Sequence, residues 1–197
     1  MQPSVFEWEG NHPALNFVNT LDERLSDAPL ERLCTYTALQ SFLLQAGLID
    51  RATATALSRY DGETAARRVL ADTIAFRENL YGVLRSYISG KAPASAQLAA
   101  VNAQIAATFT RRRLAVTPKR VAWTWDDPLA VERPLWELAV AAENLFFHGQ
   151  FQRTRKCAAS DCGILFLDLS KAGRRKWCSM ANCGNRHKVR RFRSREL

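Results

Sequence analysis

The chain has 197 residues, 47% of them hydrophobic, which is enough for one ordinary core and a small second module and excludes a long disordered polymer. Its formal net charge of +9 is unevenly held, because residues 153–197 carry 13 Lys and Arg against 3 Asp and Glu, whereas residues 1–152 carry 15 against 16. The opening residues "MQPSVFEWEG" bring Glu7 and Glu9 early and lack the apolar core of a signal peptide, and no uncharged apolar stretch is long enough to cross a bilayer, so a cytoplasmic, reducing location with no membrane partner is expected.

In chain order, "NHPALNFVNTLDERL" repeats Ala14, Phe17 or Val18, Leu21 and Leu25 at helical spacing behind Pro13, which a first helical turn accepts, and so predicts a short helix. A second helix is predicted from Thr35 or Thr37 as cap, through Leu39, Phe42, Leu43 and Ala46, to Gly47 as stop. Asp50 can cap "RATATALSRY", and residues 63–89 form a long helical segment closed by Gly90 and Pro93, with a further helix from Ala94 to Phe109. The pattern then alternates: Leu114 and Val116 face Val121, Trp123 and Trp125 across a turn at "TPKR", which predicts a β-hairpin with both tryptophans in the core. Asp126 or Asp127 with Pro128 should open the last long helix, striped through Leu135, Leu138, Ala139, Ala142, Leu145 and Phe146, kinked or divided by Pro134 and ended at Gly149. The segment from Gln150 coincides with the charge shift and is the expected boundary, giving a helical domain over residues 1–152 and a tail module over 153–197.

In the tail, Cys157, Cys162, Cys178 and Cys183 form two pairs with four residues inside each. Two tight thiol pairs joined by a hairpin-length spacer match the needs of one tetrahedral, structural Zn²⁺, and four thiolates would close its shell against catalysis. The fifth cysteine, Cys34, makes the count odd, which argues against a disulfide framework and leaves it as a small residue at a helix start. "GILFLDLSKAGRRKW" predicts a strand, a turn near Gly173 and a return strand, and the second pair opens a final helix in which Val189 and Phe192 form a narrow stripe able to dock on that hairpin. Arg186, Lys188, Arg190, Arg191, Arg193 and Arg195 are the candidate nucleic-acid contacts, with duplex DNA as the expected partner. Asn185 and Arg186 have an alternative structural role as a local hydrogen bonder and a partner of the thiolates.

At "WCSMANCGNRHKVRRFR", Cys183-Gly184-Asn185-Arg186 resembles the signature of the CGNR zinc finger family, and the preceding "CAASDCGILFLDLSKAGRRK" is similar to the same family. The segment "NHPALNFVNTLDER" and the helices after it resemble the ABATE domain that precedes this finger. The resemblance implies a bacterial transcription regulator responding to stress.

The fold expected is therefore mainly α with one β-hairpin, plus a small treble-clef-like α+β zinc module. His12, Asn16, Asn19 and Thr20 interrupt an apolar stripe and could line a pocket for a small-molecule effector, or simply cap and satisfy a core. Arg111–Arg113 could extend a phosphate-binding surface. The helical domain would sense or dimerise, so a homodimer is a further expectation. The competing functions are RNA binding and a zinc-stapled protein-interaction module. An enzyme is not expected, because His12, His148 and His187 are scattered and no nucleophile, base and orienting group share a spacing.

Overall fold

The structure is a computed structural model that describes residues 6–148 and 151–193, apart from the side chains of Arg190 and Arg191. It is mainly α-helical with small antiparallel hairpins and a compact four-cysteine module at its C-terminal end. Helix α1 (Pro13–Val18) is followed by a two-residue pair, β1 (Leu21–Asp22) with β2 (Leu30–Glu31). Next come α2 (Tyr36–Gln45), α3 (Arg51–Leu57), the long α4 (Thr64–Ile88) and α5 (Ser95–Phe109). The hairpin β3 (Arg112–Thr117) and β4 (Arg120–Trp125) leads to α6 (Arg133–Phe147). The tail holds β5 (Thr154–Lys156), β6 (Leu165–Leu167), a π-helical turn at Met180–Gly184 and α7 (Asn185–Arg193). Among the described residues no helix is long and apolar enough to cross a membrane.

Several ends follow local chemistry. Thr35 accepts from the Ala38 N–H at 3.0 Å and Asp50 from the Thr53 N–H at 2.8 Å, each satisfying a donor that the first helical turn leaves open. Gly47 and Gly90 take φ of +69° and +67° just past their helices, a region that a Cβ disfavours. The core joins α1, α2, α4 and α6 through Leu15, Phe17, Phe42, Leu80, Leu138 and Leu145, and Leu165 and Leu167 of β6 belong to the same cluster. The tail is thus built into the main core rather than appended to it. Each such side chain contributes about 1.5–3 kcal/mol on burial.

Four expectations need correction. The first helix stops at Val18 rather than running to Leu25: the Asn19 side chain turns to β6, the Thr20 hydroxyl returns to the Phe17 carbonyl at 2.8 Å, and Leu21 enters a strand while Leu25 stays exposed. Pro134 does not kink the last helix. It sits in that helix's first turn, where its missing N–H has no partner to lose, and residues 126–132 form turns before it.

In the tail, β6 pairs with β5, matching Thr154 to Leu167 and Lys156 to Leu165, so the first cysteine pair lies in the connection of that hairpin and residues 174–177 form no return strand. The last correction concerns the aromatic hairpin. Trp125 is buried against Trp136 with ring centroids 5.3 Å apart, but Trp123 is exposed, because among the described residues β3 and β4 pair only with each other. Gly149 and Gln150, proposed as helix stop and boundary, lie outside the described residues.

Candidate metal centre and basic helix

The four thiols converge. All four sulfur atoms lie within 4.8 Å of one another and all four residues are buried. Cys162 and Cys178 are 3.8 Å apart and Cys178 and Cys183 3.6 Å. A tetrahedral ion with metal–sulfur bonds of about 2.3 Å needs edges of about 3.8 Å, so these thiols have the spacing of a closed S₄ site.

Backbone geometry sets that spacing. The Cys157 N–H donates to the Ile164 carbonyl at 3.0 Å, closing the hairpin connection, and the Cys162 N–H donates to the Ala159 carbonyl at 3.1 Å inside it. The second pair is brought across by the Ala158 N–H on the Lys176 carbonyl at 2.9 Å and by the Cys178 N–H on the Cys157 sulfur at 3.4 Å.

Packed together, the thiols shift one another's proton affinity. Hydrogen bonds from Cys162 and Cys178 hold the Cys157 thiol far below its ordinary value, while the bond to Cys157 pushes Cys162 up to about 12 and Cys178 higher still. Without a cation, one negative charge can be accommodated and further ones repel it. A divalent cation would relieve that repulsion, as metal–thiolate binding with proton release requires.

Two residues that the sequence did not single out organise this module. Asp168, fully buried, accepts from the Ser170 hydroxyl at 2.6 Å, the Ser170 N–H at 3.0 Å and the Arg175 N–H at 3.0 Å. The Ser170 hydroxyl bond leads the causes that hold its carboxyl below the usual range. These bonds fold residues 168–175 into a loop in place of the expected hairpin. Arg175 then donates to the Trp177 carbonyl at 2.9 Å and to the Cys178 carbonyl, lies 4.3 Å over the Phe166 ring and pairs with Glu9 at 3.4 Å. An Asp two residues before a Ser was the available signal for the loop. Arg175 had none among so many cations.

The signature residues divide into ligand and brace. Asn185 donates to the Ala181 carbonyl at 3.2 Å, one turn back, and Arg186 donates to the Cys183 sulfur at 3.2 Å while pairing with Asp161 at 3.4 Å. Of the proposed phosphate contacts, Arg186 is therefore turned toward the thiols, whereas Lys188 and Arg193 are exposed on α7. Arg190 and Arg191 lie on that helix with side chains outside the described residues, and Arg195 lies wholly outside them. The His187 ring lies tilted beside Trp177, centroids 4.6 Å apart, and His187 is not part of the thiol cluster. The expected docking of α7 through Val189 and Phe192 does not occur. They are 49% and 65% exposed, because the loop held by Asp168 replaces the hairpin they were to meet.

His12, Asn16 and Asn19 are not gathered around one cavity. His12 caps α1 by accepting from the Ala14 N–H at 3.2 Å, and Asn16 accepts from the Gly10 N–H at 2.9 Å. Asn19 binds the edge of β6 as a strand would, donating to the Leu165 carbonyl at 2.8 Å and accepting its N–H at 3.0 Å. Gly10 and Asn11 continue that edge, the Gly10 carbonyl accepting from the Leu167 N–H at 2.9 Å and the Asn11 amide donating to the Leu167 carbonyl at 3.0 Å. Asn19 also borders an open cleft of about 910 Å³ between the β1–β2 segment, with Asp22 and Leu30, and the tail, with Ile164, Asn182 and Val189. Of Arg111–Arg113, Arg111 and Arg113 face Asp126 at 3.5 and 3.6 Å, and Arg112 lies over Trp123.

Two family models match the chain. The model of the CGNR zinc finger matches residues 153–196, and that of the ABATE domain, described as a putative stress-induced transcription regulator, matches residues 11–148. No curated protein gives a match.

Proposed function

We propose that this chain, which belongs to the ABATE family and ends in a CGNR zinc finger, is a transcription regulator in which one structural Zn²⁺ fixes a basic helix for contact with duplex DNA. The observation that carries the reading is the S₄ cluster at the root of α7, with Cys183 in the turn that starts the helix and Arg186 bonded to its sulfur. Cys157, Cys162, Cys178 and Cys183 would hold the ion, and their closed shell leaves no position for a reacting water, which favours a structural over a catalytic metal. With four thiolates a divalent ion leaves a double negative charge, and Arg186 and Arg175 sit where they offset it. Lys188 and Arg193 remain outward with the other cations of "NRHKVRRFRSR", and a helix of this size fits a major groove. A small-molecule effector would find room in the cleft, whose walls come from the β1–β2 segment and from α7.

The test is salt-titrated binding of the zinc-loaded protein to duplex DNA, single-stranded DNA and structured RNA. With about four phosphates contacted, duplex affinity falls about a hundredfold between about 50 and about 200 mM salt. A flat response removes the nucleic-acid reading, and preference for structured RNA at equal salt moves it to RNA.

A further inference from the structure

The cations of the tail divide by what they touch. Arg153 donates to the Ser170 carbonyl, Arg155 to the Gln152 and Thr154 carbonyls, Arg175 to those of Trp177 and Cys178, and Arg186 to the Cys183 sulfur. Lys171, Arg174, Lys176, Lys188 and Arg193 are exposed, and among the described residues none of them forms an ion pair. Of these, Lys171, Arg174 and Lys176 lie in the loop between β6 and the second thiol pair rather than on α7. The outward charge of the module is therefore not confined to its helix.

Groups other than those cations hold the loop in shape. Asp168 accepts from the Arg175 N–H, the Ser170 hydroxyl accepts from the Arg174 N–H at 3.2 Å, and the Gly173 N–H closes on the Ser170 carbonyl at 3.1 Å. Trp177 then joins the loop to the helix. A Cβ built on Gly184 would come within 3.3 Å of its ring, and its centroid lies 4.6 Å from that of His187 in the first turn of α7. Arg174 and Lys176 border the hollow on one side of Trp177, and Arg186 and His187 border the hollow on the other. The Lys176 carbonyl accepts from the Ala158 N–H at 2.9 Å, which fixes the end of the loop to the connection that carries the first thiol pair.

We infer that Lys171, Arg174 and Lys176 form a second phosphate-contact surface, which holds one sugar–phosphate strand of duplex DNA while α7 lies in the major groove beside it. The inference rests on the duplex-DNA reading and adds to it the strand that the loop grips. A major groove is about 12 Å wide and a helix with its side chains about 10–12 Å across, so a helix lying in the groove has a phosphate strand along each flank. Cations fixed beside the first turn of α7 fall on one of those strands. Arg175 and Arg186 are turned toward the second thiol pair, so the charge of the loop is left for a partner. Because Asp168 already orders the loop backbone, binding has only the exposed side chains to immobilise. Contacts to phosphate carry no sequence information, so this surface sets the register of α7 on the duplex rather than the choice of site.

The test uses the zinc-loaded full chain and two duplexes of unrelated sequence. Arg174→Ala and Lys176→Ala should each lower the slope of log affinity against log salt by about 0.9 and weaken binding to both duplexes about fivefold at about 0.15 M salt, with metal content and helicity unchanged. Arg68→Ala, which removes an equal charge from the exposed surface of α4, should change neither slope nor affinity. Lysine acetylation read by mass spectrometry gives a second measure on the unaltered chain: bound duplex should protect Lys171, Lys176 and Lys188 and leave Lys91 and Lys119 reactive. If the loop variants behave as Arg68→Ala does while Lys188→Ala weakens duplex binding, this surface is refuted and the DNA-binding helix stands. If the unaltered chain shows no salt-dependent duplex binding, both fall. Equal protection of Lys91 and Lys119 also overturns the inference, as does a loss confined to structured RNA.

Discussion

Replacing Arg77 by Met should be strongly destabilising. Arg77 lies in the middle of α4, is 1% exposed, and reaches both oxygens of Glu31 at 2.7 and 2.6 Å, Glu78 at 2.8 Å and the Thr20 hydroxyl at 3.1 Å. Arg24 binds the far side of Glu78 and lies 3.9 Å over the Tyr81 ring, so one buried guanidinium joins α4 to β2 and to the chain after α1. Methionine keeps most of the volume but leaves the Glu31 carboxylate half-buried without its counter-charge. Removing one partner of a buried pair costs about 3–5 kcal/mol, and Glu31 keeps partial access to water, so a loss of about 3 kcal/mol is expected. Urea unfolding followed by circular dichroism measures it. Adding Glu31→Gln removes the stranded charge and should recover about 1–2 kcal/mol, a coupling typical of contacting residues. If Arg77→Met lies within about 1 kcal/mol of the wild type, or Glu31→Gln adds its full loss on top, the network is not what holds β2 to α4.

Cys162→Ser should lower bound metal from about one ion per chain to below half, while Cys34→Ser, at an exposed cysteine remote from the cluster, should leave metal content unchanged; elemental analysis of reduced protein decides both. Asn19→Ala strips two bonds from the buried backbone of Leu165 and should cost about 2–4 kcal/mol in urea unfolding, against under about 1 kcal/mol if those groups find other partners. Burial holds the His12 imidazole below its ordinary value of 6.5, and the neutral ring caps α1 by accepting the Ala14 N–H. With its folded value depressed, His12 contributes stability above pH 6.5 that is lost as pH falls through 6.5 toward the folded value. His12→Asn keeps a capping acceptor and should flatten unfolding stability between about pH 7.5 and 5.5 relative to the wild type; parallel curves would dismiss the titration.

The readable parts of this sequence are those fixed by near neighbours. Thr35 and Asp50 cap where their types and spacing place them, and Leu114, Val116, Val121 and Trp123 pair as alternation requires. The thiol cluster was readable for a related reason: two short pairs need only one approach to bring four sulfurs together. What failed depended on distant partners. Helical periodicity ran on past Val18 because nothing local reveals that the Asn19 amide would serve as an edge for β6. Periodicity likewise gave α7 an apolar pair in Val189 and Phe192, but a pattern defines a face without saying what meets it. The loop after β6 turned on one buried carboxylate, Asp168, whose three donors outcompeted a return strand. Arg77 is invisible by composition, one cation among 28.

The polar residues of "NHPALNFVNTLDER" explain why helical domain and finger occur in one chain. Asn11, Asn19 and the Gly10 carbonyl occupy one edge of β6, β5 occupies the other, and Leu165 and Leu167 enter the main core between them. The same short hairpin holds the first thiol pair in its connection, and Arg175 ties the second pair to Glu9. Ordering β6 from the α1 side therefore orders two of the four clustered thiols, and an ion bound by those thiols would order the strand on which Asn19 docks. By linkage, the factor by which docking of Asn19 on β6 would tighten the thiol cluster's hold on an ion is the factor by which that ion would tighten the docking. The cleft lies along this junction, bounded by Asn19, by Asp22 on β1 and by Val189 on α7. An effector filling it would act on the orientation of the basic helix through contacts already made by the finger and the helical domain, with no need for a hinge between them.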